Sequence, residues 1–403
     1  MTEQTGDSIA AAKKMWVFYP LMMVTGFVQL LIPSTMHLIM DDFHLKEGTA
    51  GVLPLVYFVG IVVFALFSTR LLARFSAKTL TIAGAILVCV SLVATSLSPW
   101  FALFTFFYFF AGVGNGALII LPGIYATNTC GAQTPRIQSM LFGFLSFGYI
   151  VGPLVPGLIE HLEISWRWAV AIPGLLVIPF VIPVAVARLE RIKEAERLSL
   201  ATVRRMVSFD RRFFFGLTLA LILSGGAVLG VITWIVTFLE NERGMTLGAA
   251  HVVLSGIGLA LVMGRLVCGQ LSKRFRVYRI ELVIVPLSAV LVFIAPLPGS
   301  AVVNSALFLV SALVYSGVYP LLLSAASIYP RSDSAAAYTV FFLCVSLGGM
   351  TIPYALGQVF QHAGAVAGMS SSAVILVSVL GCLLFFRKEL PLSEHANHRA
   401  YPA

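Results

Sequence analysis

Acidic side chains are scarce in this chain, and over one long stretch they are missing. No Asp or Glu occurs between Gly48 and Ile159, and charged residues of both signs fill only 11% of the 403 positions. Soluble domains carry about 25%. With 59% of its residues hydrophobic, a water-soluble chain of this length has no single core large enough to hide them. Cysteine is also sparse. Cys89, Cys130, Cys268, Cys344 and Cys382 are scattered, mostly within apolar runs, with no CxxC and no Cys/His ligand spacing. That argues against a disulfide framework or a metal site and leaves them as small core residues. Paired histidines, carboxylate clusters and metal motifs are missing from the apolar stretches, which speaks against a membrane enzyme. The lack of a nucleotide-binding motif speaks against ATP-driven transport by this chain alone. No cofactor is called for. The formal charge of +9 does not point to nucleic acid, because the basic residues sit in short loops between apolar runs.

What is present is a series of apolar runs near 20 residues, each about the length that crosses ~30 Å of hydrocarbon as a helix. The pattern predicts an all-α polytopic membrane protein with helices at 16–39, 48–73, 78–98, 100–128, 137–159, 166–187, 212–239, 246–271, 279–297, 300–328, 335–360 and 369–386. The first run is too long for a signal h-region and reads as a retained span. Turn and charge signals such as DDFHLKEG, GAQTPR, KRFRVYR and PLPGS mark the breaks. Twelve spans put both termini on one side. Of the 26 Lys and Arg, only Lys46, Arg167 and Arg243 fall on the opposite side, and Arg265 lies inside a span. This bias assigns the tails to the cytoplasm, as expected of a multi-pass protein of a cell inner membrane. The domains follow as a cytoplasmic tail (1–15), a six-helix bundle (16–187), a cytoplasmic linker (188–211), a second six-helix bundle (212–387) and a C-terminal tail (388–403). The linker region RLERIKEAERLSLATVRRMVSFDRR reads as a helix lying along the membrane surface.

The two halves resemble each other at an offset near 200. SFGYIVGPLVPGLI from Ser146 aligns with SLGGMTIPYALGQV from Ser346, matching Ser146/Ser346, Gly148/Gly348, Pro153/Pro353 and Gly157/Gly357. LLARF (71–75) faces LSKRF (271–275), which pairs Arg74 with Arg274. Two six-helix repeats are a layout of secondary transporters, with the solute site near the bilayer midplane between the halves. Pro153 and Pro353 are expected mid-helix, where each removes a backbone bond and permits a kink; with Gly157 and Gly357 they form a hinge candidate. AGVGNG (111–116) suits close helix approach.

These features resemble the major facilitator superfamily. Its usual loop signature, Gly-x-Leu-x-Asp-Arg-x-Gly-Arg, is degenerate in STRLLARFSAKTL: Arg74 and Lys78 match, Ala73 replaces the Asp, and both glycines are lost. The second copy, GQLSKRFRVYR, keeps Gly269, Leu271 and Arg274. Arg74 and Arg274 therefore stand as gating candidates. Within the superfamily the chain resembles the fucose permease type of sugar:proton symporter, through LLIPSTMHLIMDDFHL (30–45), GRLVCGQLSKRF (264–275), SALVYSGVYPLLLSAASIYP (311–330) and SLGGMTIPYALGQVFQHAG (346–364). The resemblance implies a small-molecule transporter working by alternating access in a lipid bilayer, as a monomer. That family's acids in the first and fourth helices are not here: Gln29 precedes Pro33, and the fourth span reads GVGNGALIILPG. A proton route, if the chain has one, falls to a histidine, a loop acid or the solute itself.

Depth along each helix selects the cavity candidates. Gln29 and Asn115 each lie about 20 Å from the cytoplasmic end of their spans at 1.5 Å per residue, and amides donate and accept toward hydroxyl or carboxylate solutes. Tyr149, Tyr315 and Tyr319 are also mid-span. Arg265 lies about 12 Å inside the eighth span. A guanidinium there must face the bundle interior or snorkel, either as a cation for an anionic solute or as a brace to helix-end carbonyls, with Glu281 at the inner edge as a candidate partner. Asp41 and Asp42 are expected to stay solvated or to pair with Lys46 or Arg243. The leading function is transport of a small polar solute, sugar-like or carboxylate. Efflux of amphipathic compounds, and a receptor or sensor without transport, remain the alternatives.

Overall fold

The computed structural model describes residues 14–45, 52–155, 158, 162, 164–189, 198–297 and 299–385. Among them ten helices are long and apolar enough to cross a membrane. In chain order the helices are α1 (Tyr19–Asp42), α2 (Val52–Arg74), α3 (Ala77–Ser96), α4 (Phe101–Thr129), α5 (Thr134–Val151), α6 (Arg167–Val186), α7 (Leu200–Phe209), α8 (Arg211–Thr237), α9 (Leu247–Leu271), α10 (Val277–Ile294), α11 (Ala301–Tyr315), α12 (Val318–Leu323), α13 (Arg331–Ala363) and α14 (Ala365–Phe385). The ten do not include α1 or α5; at the first, the described apolar part is Met15–Leu31.

Helix starts follow ordinary capping chemistry. Ser76 accepts from the Thr79 amide (3.1 Å) at the start of α3, and Asp210 accepts from the Phe213 amide (2.9 Å) at the start of α8, which satisfies donors that have no partner inside the helix. Lys78 donates to the Ala187 carbonyl at 3.0 Å. It thereby caps α6 with a cation at the negative end of that helix. This is the structural use of one residue kept from the loop signature.

Small residues set the helix spacing. A Cβ on Gly148 would overlap the Phe27 amide of α1, and one on Gly348 would overlap the Ile222 carbonyl of α8. The positions paired at the offset of 200 thus make the same kind of contact, α5 on α1 and α13 on α8. The matched serines agree: Ser146 donates to the Phe142 carbonyl (3.0 Å) and Ser346 to the Phe342 carbonyl (2.9 Å).

One expectation is refined and one corrected. Pro153 stands in a two-residue turn, Gly152–Pro153, that interrupts the helical run: α5 ends at Val151 and helical residues resume at Leu154 and Val155, because proline lacks the N–H that would continue the ladder. Pro353 does lie inside α13. The predicted single helix at 300–328 is three pieces: α11 ends at Tyr315, the chain turns at Ser316–Gly317, and α12 passes into a 3-10 turn, Ser324–Ile328. Of the linker, the described parts are residues 188–189 and 198–211, with α7 packed on α8 and α13. Arg205 of α7 pairs with Asp333 of α13 at 3.0 Å. The Gly157 hinge position, Lys46, most of 188–197 and both tails lie outside the described residues.

Candidate functional site

The helices before the linker meet those after it along α5–α9, α2–α13 and α4–α13. Between them lies a narrow, partly open cavity with about 40 Å³ of free space. The wall is largely apolar, with Phe58, Phe142, Leu145, Leu229 and Phe342 prominent, and polar groups come from Gln29, Tyr149, Arg265, Tyr319 and Ser346.

Four of the six solute-site candidates are therefore brought together: Gln29, Tyr149, Arg265 and Tyr319. Tyr149 donates its hydroxyl to Gln29 Oε1 at 3.0 Å, which ties α5 to α1 and leaves the Gln29 amide donors to face the cavity. The other two candidates point elsewhere. Asn115 is fully buried; its Nδ2 donates to the Tyr57 hydroxyl, and its Oδ1 has no partner. Tyr315 donates to the Ser224 carbonyl and lines a separate small apolar cavity, with about 30 Å³ of free space, among α8, α9, α10, α11 and α14. The depth arithmetic was sound for both, but the helices turn these side chains away from the main cavity.

Arg265 is 1% exposed. Its Nε donates to the Ser316 carbonyl (3.0 Å), and Nη1 donates to the Phe142 carbonyl (2.7 Å) and to Ser146 Oγ. Nη2 lies 3.5 Å from the Tyr319 hydroxyl, a long contact for a hydrogen bond. The guanidinium sits over the rings of Tyr319 (5.3 Å) and Phe142 (5.9 Å). Two acceptors, Phe142 and Ser146, belong to α5 of the first half. Ser316 belongs to the turn between α11 and α12, where the helix break leaves a carbonyl unused. Glu281, the candidate partner, makes no bond to Arg265; both of its carboxylate oxygens are buried without a partner. It is fully buried near the linker-end start of α10. Among the described residues Arg265 has no ion-pair partner, and its Nη2 edge is left for the cavity.

One end of the cavity is shut. At the end carrying the linker, Ser68 of α2 meets Thr339 of α13 at 3.3 Å, and Ser334 donates to Asn128 of α4 at 3.1 Å. Tyr338 of α13 donates to Gln138 of α5 at 3.5 Å. Its ring fills the space that a Cβ on Gly123 would occupy. Hydrogen bonds between the halves thus form in this plug and at Arg265. The gating and hinge candidates are placed as follows. Arg74 closes α2 and Arg274 lies in the turn after α9, both at the linker end and both exposed. The Pro353 carbonyl accepts from Trp234 Nε1 at 2.8 Å, and the same indole packs against Gly357. Trp234 is thus a packing residue between α8 and α13. At the opposite end Asp42 pairs with Arg167 at 2.9 Å, and Arg243 bonds Asn304 (2.9 Å) and the Pro296 carbonyl (2.8 Å), so the expected pairing of Asp42 with Arg243 is not formed.

Sequence reasoning missed Phe142, Ser146 and Ser316 as partners of Arg265, and Tyr338, Gln138 and Gly123 as the plug. Backbone acceptors carry no residue-type signal. The Gly123–Tyr338 fit had one faint sign, a glycine in the PGIY end of the fourth span.

A helical membrane protein with a central cavity closed at one end and opened between two helix groups is a transporter architecture. The family model of the Major Facilitator Superfamily matches residues 18–353, and the chain belongs to that superfamily. It is a family of transporters and not of enzymes. The uncharacterized MFS-type transporter YceJ of Bacillus subtilis is 23% identical over 387 residues, covering 91% of this chain and 95% of the relative. The cis,cis-muconate transport protein of Acinetobacter baylyi is 24% identical over 277 residues, 63% of this chain and 65% of the relative. Among solved structures, the transporter FucP in its outward conformation superposes with a TM-score of 0.75 at 18% identity, covering 94% of this chain and 99% of FucP. The fucose permease likeness read from the sequence is borne out at the level of fold.

Proposed function

We propose that this protein carries small organic carboxylates across the inner membrane by alternating access. Twelve spans in two six-helix halves would form a monomer, with the linker and both tails in the cytoplasm. The observation that carries the reading is Arg265: a buried guanidinium on the cavity wall with no acid among the described residues to neutralise it. An unpaired charge in a low-dielectric site costs several kcal/mol, and an incoming carboxylate offers the planar two-oxygen acceptor that the guanidinium fork fits best. Phe142, Phe58, Leu145 and Leu229 suit the apolar body of such a solute, and the Gln29 amide and Tyr319 hydroxyl suit a second polar group. A relative named for muconate, a dicarboxylate, supports the same chemistry.

A second reading, a neutral hydroxylated solute held by Gln29, Tyr149 and Ser346, is favoured by the hydrogen-bonding groups on α1, α5 and α13. It leaves the charge of Arg265 without a use in binding. The two are separated by thermal stabilisation of the purified protein with neutral sugars, small carboxylates and cationic amphiphiles, repeated in Arg265→Ala and Gln29→Ala. Carboxylate stabilisation that vanishes in Arg265→Ala supports the first reading; sugar stabilisation that needs Gln29 and not Arg265 replaces it with the second. Stabilisation by cationic amphiphiles would return the efflux reading.

A further inference from the structure

The buried groups that the cavity does not use include one carboxylic acid. Glu281 lies on α10, about 6 Å from the linker-end start of that helix at 1.5 Å per residue. It is 0% exposed, and neither carboxylate oxygen has a partner. The elements packed against α10 are α11, α12 and α14, and none of them carries a Lys, Arg, His, Asp or Glu. Their titratable groups are Tyr315, Tyr319 and Cys382. On α9, Cys268 lies within reach of the Glu281 charge, as does Tyr315, and Arg265 lies one turn from Cys268 on the same helix. On α10 itself Tyr278 and Arg279 lie toward the helix start.

A carboxylate ionised in such a place has neither hydrogen bonds nor a counter-charge, and burying it so costs far more than burying the neutral acid. The neighbourhood is also two-sided. Cys268 and Tyr315 lie near both Glu281 and Arg265, so the acid and the cation share neighbours without touching. Arg265 is held away from Glu281 by its bonds to Phe142 and Ser146 of the other half. Separation of the halves at the linker end breaks those bonds and frees the guanidinium to stabilise a carboxylate on its own half. The same movement removes the plug of Tyr338, Gln138 and Gly123 and admits water.

We propose that Glu281 is a proton-carrying site of the transport cycle. It holds a proton while the linker end is closed. When that end opens, the carboxyl O–H bond breaks, the proton passes to entering water, and the carboxylate is stabilised by Arg265. The coupling of solute movement to protons then rests on an acid in the second half, whichever solute the cavity takes.

The test needs no solute. At about pH 8 an ordinary glutamate, with a pKa of ~4.3, is ionised. Infrared spectra of the full chain in lipid at that pH are compared between wild type and Glu281→Gln. The expected result is a protonated-carboxyl band in wild type that the variant lacks; identical spectra overturn the proposal. Gly123→Ala, whose new Cβ collides with the Tyr338 ring, wedges the linker end open, and faster hydrogen exchange across 334–343 verifies the opening. In that variant the carboxyl band is expected to be lost. A band that persists after verified opening overturns proton release and leaves Glu281 a static neutral acid. If Gly123→Ala does not exchange faster, Tyr338→Ala, which deletes the plug ring, takes its place with the same two outcomes.

Discussion

Removing the guanidinium at position 265 tests the central claim most directly. In Arg265→Ala two charged donors to backbone carbonyls are lost, at 3.0 Å to Ser316 and 2.7 Å to Phe142, together with the Ser146 contact. Hydrogen bonds from charged groups contribute about 1.5–3 kcal/mol each, but the alanine variant also removes the burden of a buried charge, several kcal/mol in the opposite sense. The two offset each other, so the free protein is expected to change little in thermal stability. Ligand binding has no such offset. Truncating one partner of a buried charged pair costs about 2–5 kcal/mol, which is about 30-fold to several-thousand-fold in Kd. Wild type saturated with a carboxylate at ~100 Kd gains about 2.7 kcal/mol of stability; the variant at the same concentration should gain about 0.9 kcal/mol at the 30-fold end of that range and almost none at the other. Arg265→Lys keeps the charge and loses the fork, so an intermediate loss is expected. The reasoning fails if Arg265→Ala keeps its carboxylate shift, or if the unliganded variant unfolds at much lower temperature while binding survives. Either result makes Arg265 a brace alone.

Other perturbations address single contacts. Gly348→Ala should destabilise by about 1–3 kcal/mol, the usual cost of overpacking, because its Cβ overlaps the Ile222 carbonyl; thermal unfolding in detergent reads it. Tyr57→Phe strands the Asn115 Nδ2 donor in a fully buried site, with an expected cost of about 1–3 kcal/mol and an unchanged ligand shift in the same assay. Lys78→Met removes the cap on Ala187 and should cost about 0.3–1 kcal/mol, seen as faster hydrogen exchange at the end of α6. Gln29→Ala should weaken binding of solutes with a second polar group more than of simple monocarboxylates, measured by the ratio of their thermal shifts.

Depth was legible in the sequence and rotation was not. Counting residues from a charged loop placed Gln29, Tyr149, Arg265 and Tyr319 at the right level, and the structure gathers them around one cavity. The same count placed Asn115 and Tyr315 equally deep, yet both face other helices. A soluble helix betrays its buried face by the side on which its polar residues lie; α4 and α11 are apolar all round, so nothing in their pattern fixes which way a given residue points. The break at Ser316–Gly317 was hidden for a related reason. Its only mark is one glycine in an apolar run, and glycine is common in membrane helices. Pro153 was legible: the residue type marked a perturbed helix, and the helical run is interrupted there by the turn at Gly152–Pro153. Glu281 was visible as a letter, yet its burial depends on how α11, α12 and α14 close around it.

The turn at Ser316–Gly317 has a consequence for the timing of transport. Because the acceptors of Arg265 are divided between the halves, its grip is not a fixed quantity. Ser316 travels with the arginine, whereas Phe142 and Ser146 do not. A carboxylate entering from the open end competes with two of the three acceptors and leaves the third in place. On the proposed carboxylate reading, the solute acts as a release agent for one of the contacts between the halves, and the empty protein breaks that contact without help. Exchange of solute for solute should outrun the return of the empty protein, and the difference in rate measures what those two acceptors on α5 contribute.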